Sequence, residues 1–145
     1  MNSVNHGYLS KLKDDHKVVR QLLEEIKGLT GTKDFNGIAS RLALLKRDIV
    51  AHTKKEDEKL YVELSDAAER EHMTLIKSTI NTFANAMNSV ALRSIDFFDR
   101  YSNRDEIERS LTQFISNLAA IQRDILMRLE SEEKALYSMY AKYCC

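Results

Sequence analysis

Proline is absent from this sequence of 145 residues, and glycine occurs only four times. Both residues tend to interrupt helices, so their scarcity predicts a largely helical protein. Charge of one sign is not in excess, because 22 basic residues balance 22 acidic ones. No apolar run approaches the roughly 18–20 residues that span a bilayer. We therefore expect neither a nucleic acid nor a membrane among the partners of this protein.

Cysteine is also scarce. The only two cysteines, Cys144 and Cys145, are adjacent at the C-terminus and cannot cross-link distant parts of the fold. The first residues lack the apolar segment of a signal peptide. Both observations predict a protein of the reducing cytoplasm.

Apolar residues recur at spacings of three and four along most of the chain, which predicts amphipathic helices. The expected helices run from about Gly7 to Leu29, from a cap at Thr32 or Asp34 to about Leu64, from about Ala67 to the turn at 102–105, and from there to about Tyr140. Short polar links join them. The pattern predicts an all-α protein, an antiparallel up-down-up-down four-helix bundle that forms a single domain over residues 1–145.

The second predicted helix carries two ionisable residues in its apolar stripe. Alternating steps of four and three lead through Ile38, Leu42, Leu45 and Ile49 to His52 and Glu56, and Leu60 follows four residues later. Buried polar groups cost free energy unless they are paired or bind a metal ion. The spacing therefore predicts that His52 and Glu56 have partners in the core.

An internal repeat places similar residues in the fourth predicted helix. Residues 48–61 align without gaps on residues 124–137, an offset of 124 − 48 = 76. The offset maps His52 onto Arg128 and Glu56 onto Glu132. The second and fourth helices are thus built on one pattern, and each has a polar pair in its apolar stripe.

Counting residues from the predicted turns, at about 1.5 Å per residue, places polar residues of all four helices at comparable depth. The predicted layer consists of His16, His52, Glu56, His72, Arg128 and Glu132. Inward-facing histidines and carboxylates are how helical bundles build iron and manganese sites. The alternative is a metal-free ion-pair network in which the charge of Arg128 replaces that of the metal.

These residues resemble the hemerythrin-like, or HHE cation-binding, four-helix bundles. The family pattern is a lone histidine in the first helix, His-x3-Glu in the second, His-x3-His in the third and His-x4-Asp/Glu in the fourth. Here His16 resembles the first element, His52 with Glu56 the second and His72 half of the third. Glu133 matches the last position of the pattern, whereas the helical spacing favours its neighbour Glu132.

The resemblance implies a metal site with iron as the expected ion and manganese as the next candidate. Its ligands would come from His16, His52, Glu56, His72, Glu132 and Glu133. Two family positions differ, because Ile76 and Arg128 stand where the pattern has histidines. The positive charge of Arg128 would repel a metal ion bound beside it. Two unit charges about 4 Å apart repel by about 4 kcal/mol at an effective dielectric of 20, and a divalent ion about doubles this. We therefore expect a mononuclear or partial di-iron site.

Two classes of function follow from these features. The first is a non-haem metal-binding bundle that senses or binds the metal itself or a small molecule such as dioxygen or nitric oxide. The second is a metal-free regulatory module that binds a protein partner or forms a homodimer. A distant similarity to bacterial anti-sigma regulators of the regulator-of-sigma-D kind belongs to this second class. An enzyme is less favoured, because no nucleophile–base pair or phosphate-binding loop is present.

Overall fold

The computed structural model describes residues 3–145, which are all-helical, as the sequence predicts, and contain no strand. Two π-helical segments, named π1 and π2 here, interrupt the α-helices. In chain order the elements are α1 (Ser3–Thr32), α2 (Phe35–Lys55), π1 (Glu56–Leu60), α3 (Tyr61–Arg70), α4 (Thr74–Arg100), α5 (Arg104–Arg109), α6 (Leu111–Ser131), π2 (Glu132–Leu136) and α7 (Tyr137–Cys144).

Short polar side chains define two of the helix starts. The Asp34 carboxylate accepts a hydrogen bond of 3.0 Å from the N–H of Gly37 and caps α2. The Asn103 side chain accepts one of 2.8 Å from the N–H of Asp105 and caps α5. Ser110 then separates α5 from α6. The sequence did not predict that the helix is interrupted at Ser110.

The predicted end of the second helix at Leu64 is wrong. The helical course continues from α2 through π1 into α3, and it breaks only at His72, which has a φ of 55°. Leu64, Ala67 and Ala68 are buried, and α3 packs against α4 and α7. This packing stabilises the helix beyond Leu64. The polar residues at 65 and 66 therefore lie inside α3 instead of capping a new helix.

Most of the buried apolar residues within 3–145 form two clusters. Core A lies nearer the turns at 33–34 and 101–103 and contains Val19, Leu22, Leu23, Ile26, Ile38, Leu42, Leu45, Ile49, Val90, Phe97, Phe98, Tyr101, Ile107, Phe114, Leu118, Ile121, Ile125 and Leu129. Core B lies toward the other end and contains Leu9, Leu12, Leu60, Leu64, Ala68, Ile80, Leu136, Tyr137 and Tyr140.

The polar residues lie between these two clusters. In α1, His16 stands between Leu12 of core B and Val19 of core A. Contacts of α1 with α2, α6 and α7, and of α4 with α2, α3 and α6, bring the polar segments together. Among the described residues, no helix has both the length and the apolar character needed to cross a membrane.

Candidate metal centre

Four buried side chains converge between core A and core B. His16 comes from α1, His52 from α2, Glu56 from the start of π1 and Glu132 from the start of π2. Each is at most 3% exposed. Each offers one ligand atom, and these four atoms lie within 4.8 Å of one another. The structure thus assembles a compact group of two imidazoles and two carboxyl groups.

The two imidazoles face each other through their Nε2 atoms, which are 3.1 Å apart. His16 Nε2 lies 3.0 Å from Glu132 Oε1, and His52 Nε2 lies 3.4 Å from Glu56 Oε2 and 3.7 Å from Glu132 Oε1. Neighbouring ligands of one ion, each bound at about 2.1 Å, lie about 3.0–3.4 Å apart. The short distances in the group therefore match the spacing of neighbouring ligands.

Both glutamates occupy the first position of a π-helical segment. In π1 the N–H of Tyr61 bonds the carbonyl of Glu56, and in π2 the N–H of Tyr137 bonds the carbonyl of Glu132. This i→i−5 pattern widens the turn, and such segments are frequent at functional sites. Next to π1, the Tyr8 hydroxyl donates a hydrogen bond of 2.6 Å to the carbonyl of Lys55. The two copies of the repeat thus place their glutamates by the same local distortion.

Carboxylates outside the group orient both imidazoles. His52 Nδ1 lies 3.0 Å from Asp15 Oδ2, and His16 Nδ1 lies 3.1 Å from Glu133 Oε2. Arg20 in turn pairs with Glu133. A carboxylate accepts hydrogen bonds, so each Nδ1 carries the donated proton, and each Nε2 points at the centre of the group. Carboxylate–histidine–metal arrangements have this form.

The pKa values of His52, Glu56 and Glu132 depend on their neighbours in the group. Burial disfavours the charged form of His52, but Glu132, Glu56 and Asp15 outweigh it and raise the pKa of His52 to about 10. Burial raises the pKa of Glu56, and the charge of Glu132 adds to the rise against the effect of His52. For Glu132, His16 and His52 overcome the effect of burial and lower the pKa. The group therefore holds protons that a cation would displace.

The donor set fits a transition-metal ion. Imidazole and carboxylate together suit iron, manganese and zinc. The second oxygens of the two glutamates, Glu56 Oε1 and Glu132 Oε2, are buried without a hydrogen-bond partner. Buried carboxylate oxygens normally have partners, so each glutamate keeps, beside the oxygen that faces the imidazoles, an unused oxygen with which it could also bind a cation.

The comparison with known protein families agrees with this chemistry. The sequence profile described as the hemerythrin HHE cation-binding domain matches residues 8–140. The chain belongs to the hemerythrin family. Comparisons with curated proteins and with solved structures found no match.

The structure does not bring every residue of the predicted hemerythrin-type layer to the group. His72 is exposed at the link between α3 and α4, because the helical course breaks there instead of near Leu64. Ile76 is half-buried against core B. The expectation that all four helices contribute to one polar layer is therefore not met by α4, which places Met87, Val90 and Ser94 beside His52.

Arg128 is also outside the group. It is half-buried and lines a surface groove with Arg93 and Asp124, while Leu129 is buried at this level of α6. The step from Ile125 to Glu132 can be divided as four plus three or as three plus four, and the sequence prediction used the second division. The structure follows the first division, because burial of the apolar Leu129 side chain is favourable and Arg128 is only half-buried.

The sequence left Glu132 and Glu133 as alternatives. In the structure Glu132 is buried at the centre of the group, whereas the side chain of Glu133 is 31% exposed and pairs with Arg20 and His16 Nδ1. Burial raises the pKa of Glu133, but its contacts with Arg20 and His16 outweigh burial, so the pKa is lowered. The two neighbours thus have different positions, one inside the group and one around it.

Tyr137 is the residue at this site that the sequence reasoning missed. It is 1% exposed, and its hydroxyl lies among the four donors. It follows Glu132 by five residues, which in a regular α-helix would place it about 140° around the axis. The wider turn of π2 reduces that offset. The available signal was the repeat itself, since it aligns Tyr61 with Tyr137.

Proposed function

We propose that this hemerythrin-family chain binds one metal ion through His16, His52, Glu56 and Glu132, with iron as the first candidate and manganese as the second. The observation that supports it is the convergence of two Nε2 atoms and two carboxyl groups, each glutamate with one buried oxygen that lacks a partner. With this ion the protein would sense or bind either the metal itself or a small molecule such as dioxygen or nitric oxide.

A single ion is proposed because the donors come from one part of the site. They belong to α1, α2, π1 and π2, whereas α4 contributes mainly apolar side chains beside His52. A second ion would need further imidazole or carboxylate ligands on that side. We also propose that the chain forms one cytoplasmic bundle domain of four antiparallel helices. The first is α1, the second is α2 continued by α3, the third is α4, and the fourth is α6 continued by α7.

Metal content after loading tests this proposal. Wild-type protein, His52→Ala and the matched control His72→Ala are incubated anaerobically with ferrous iron, desalted and measured by elemental analysis. We expect one iron per chain in wild type and in the control, and loss of iron from His52→Ala. Iron retained equally by all three proteins would contradict the proposed ligands. Two irons per chain would contradict the single-ion site.

The second candidate is a metal-free hemerythrin-like module that binds a protein partner or a second copy of itself. One observation favours it: the hydroxyl of Tyr137 lies within 3.4 Å of a donor atom in each of the four ligand side chains, so hydrogen bonds can link them. The form in which Arg128 neutralises the carboxylates has less support, because the ion pairs of Glu132 are with His16 and His52. Failure of wild type to retain any metal, with an unchanged thermal midpoint in chelator, would favour this module.

A further inference from the structure

The hydroxyl of Tyr137 occupies a central position in the donor group. It donates a hydrogen bond of 2.8 Å to Glu56 Oε2. It also lies 3.0 Å from His16 Nε2, 3.2 Å from His52 Nε2 and 3.4 Å from Glu132 Oε1. One oxygen atom is therefore at contact distance from all four of the proposed ligand atoms.

Hydrogen bonding accounts for only part of this position. The phenol donates its one proton to Glu56 and its oxygen can accept from an imidazole N–H, but no proton is left for the contact with the Glu132 carboxylate. The remaining three contacts are at distances of 3.0–3.4 Å. These are the distances expected between neighbouring ligands of one ion. Tyr137 Oη thus has the spacing of a donor that neighbours each of the other four.

The tyrosine is held firmly in this place. Its ring stacks on that of His16, with centroids 5.3 Å apart and an interplanar angle of 27°. Its backbone N–H closes the π2 turn on the carbonyl of Glu132. The ring and the backbone are therefore fixed by two residues of the site itself, which limits how far the hydroxyl can swing away.

The repeat supplies a comparison within the same chain. Tyr61 follows Glu56 as Tyr137 follows Glu132, and its N–H closes π1 in the same way. The hydroxyl of Tyr61, however, makes no hydrogen bond to any residue of 3–145 and is not in the group. Only the second copy of the pattern places a phenol oxygen among the donors.

We infer that Tyr137 is a fifth protein ligand of the metal ion, so that the site is closed by protein atoms and is built to bind the ion itself. This inference rests on the metal binding proposed above. When the ion binds, the O–H bond of Tyr137 breaks, a bond forms between Oη and the metal, and the proton leaves to solvent. No change in oxidation state is needed for this step.

The test uses the colour of the ferric protein. Phenolate bound to Fe(III) gives a charge-transfer band in the visible range, whereas imidazole and carboxylate ligands do not. Wild type, Tyr137→Phe and the matched control Tyr61→Phe are loaded with ferrous iron, oxidised with ferricyanide and desalted. Iron content and the visible spectrum are then measured on the same samples, and far-UV circular dichroism checks that each variant is folded.

We expect wild type and Tyr61→Phe to bind iron and to show the band, and Tyr137→Phe to lose it. Phenylalanine keeps the ring that stacks on His16, so this variant should remain folded. Iron-loaded wild type without the band, or a band of equal intensity in iron-loaded Tyr137→Phe, would overturn the ligand role while leaving the four-residue site intact. Absence of iron from folded wild type would overturn both the inference and the proposed function.

Discussion

Asp15 is a small acidic residue with a large expected effect, because it orients His52, a proposed metal ligand, from outside the donor group. Its carboxylate fixes Nδ1 of His52 at 3.0 Å and pairs with Lys55 at the same distance. Burial would raise the pKa of Asp15, but His52 and Lys55 lower it, so the carboxylate is charged when it acts.

We predict that Asp15→Asn weakens metal affinity by roughly 10–100-fold, the usual range for a carboxylate behind a ligating histidine. The amide can still accept a hydrogen bond, but it removes the negative charge that strengthens the ligand. Competition with a chelating dye measures the affinity. Asp14→Asn is the matched control, since the side chain of Asp14 is 66% exposed and pairs with Lys17. Equal losses in both variants would argue against this role.

Glu56 and Glu132 affect the metal-free protein in opposite ways. Burial and the charge of Glu132 raise the pKa of Glu56 to about 7, above its ordinary value of 4.5, so folding favours its protonated form. Stability is therefore lost as pH rises through this interval, by roughly 3 kcal/mol at pH 8. The lowered pKa of Glu132 has the reverse sign: its contribution is present above pH 4.5 and is lost as pH falls below that.

We predict that Glu56→Gln raises the thermal midpoint of the metal-free protein at pH 8 and leaves it nearly unchanged at pH 5, because the amide avoids burying a second negative charge. Glu132→Gln should lower the midpoint at pH 8. Thermal unfolding followed by circular dichroism in chelator measures both. A fall in the midpoint for both variants at pH 8 would show that the two carboxyl groups do not differ in this way.

At the scale of the elements, helical periodicity predicted where helices occur better than how they turn. The stripe of Ile49, His52 and Glu56 was read correctly as inward-facing, because its steps of three and four fit a regular helix. Beyond Glu56 the buried positions follow at two successive steps of four, to Leu60 and Leu64. Two successive steps of four contain one residue more than a regular helix would, and this additional residue corresponds to π1. A prediction that assumes a regular helical period does not detect the additional residue, and for the same reason it could not predict the position of Tyr137.

The π1 segment behaves as one extra residue in a regular helix, which gives a prediction. Removing the exposed Asp57 would leave the buried positions at steps of three, four, three and four, as an α-helix requires. We expect this deletion to keep the fold with a modest change in thermal midpoint. It should reduce metal binding, because Glu56 would no longer begin a widened π-helical turn. Deleting the exposed Val50 instead turns the rest of the helix by about 100° and should unfold the protein. Similar melting of the two deletion variants would contradict this.

At the scale of the whole molecule, the sequence was sufficient for the class and the family, since the all-helical fold and the hemerythrin match are confirmed. It was insufficient for the side of the site that faces α4. His72 was assigned there by its depth from the predicted turns and by the family motif, but the burial of Ala67 and Ala68 extends α3 and leaves His72 at an exposed link. Tertiary packing thus decided which histidines meet, and periodicity along one helix does not contain that information.

The burial of the donor group between core A and core B has a consequence for rates. Each of the four donors is at most 3% exposed, so an ion cannot reach them or leave them while the helices are closed. Exchange then requires a transient separation of the helices, and the opening rate sets an upper limit on release. We predict that iron transfer to an external chelator reaches a plateau rate that no longer depends on chelator concentration. Destabilising a residue of core B, for example by Leu12→Ala, should raise that plateau with the same ligands present. The residence time of the ion would then be a property of helix packing, set separately from the strength of its bonds.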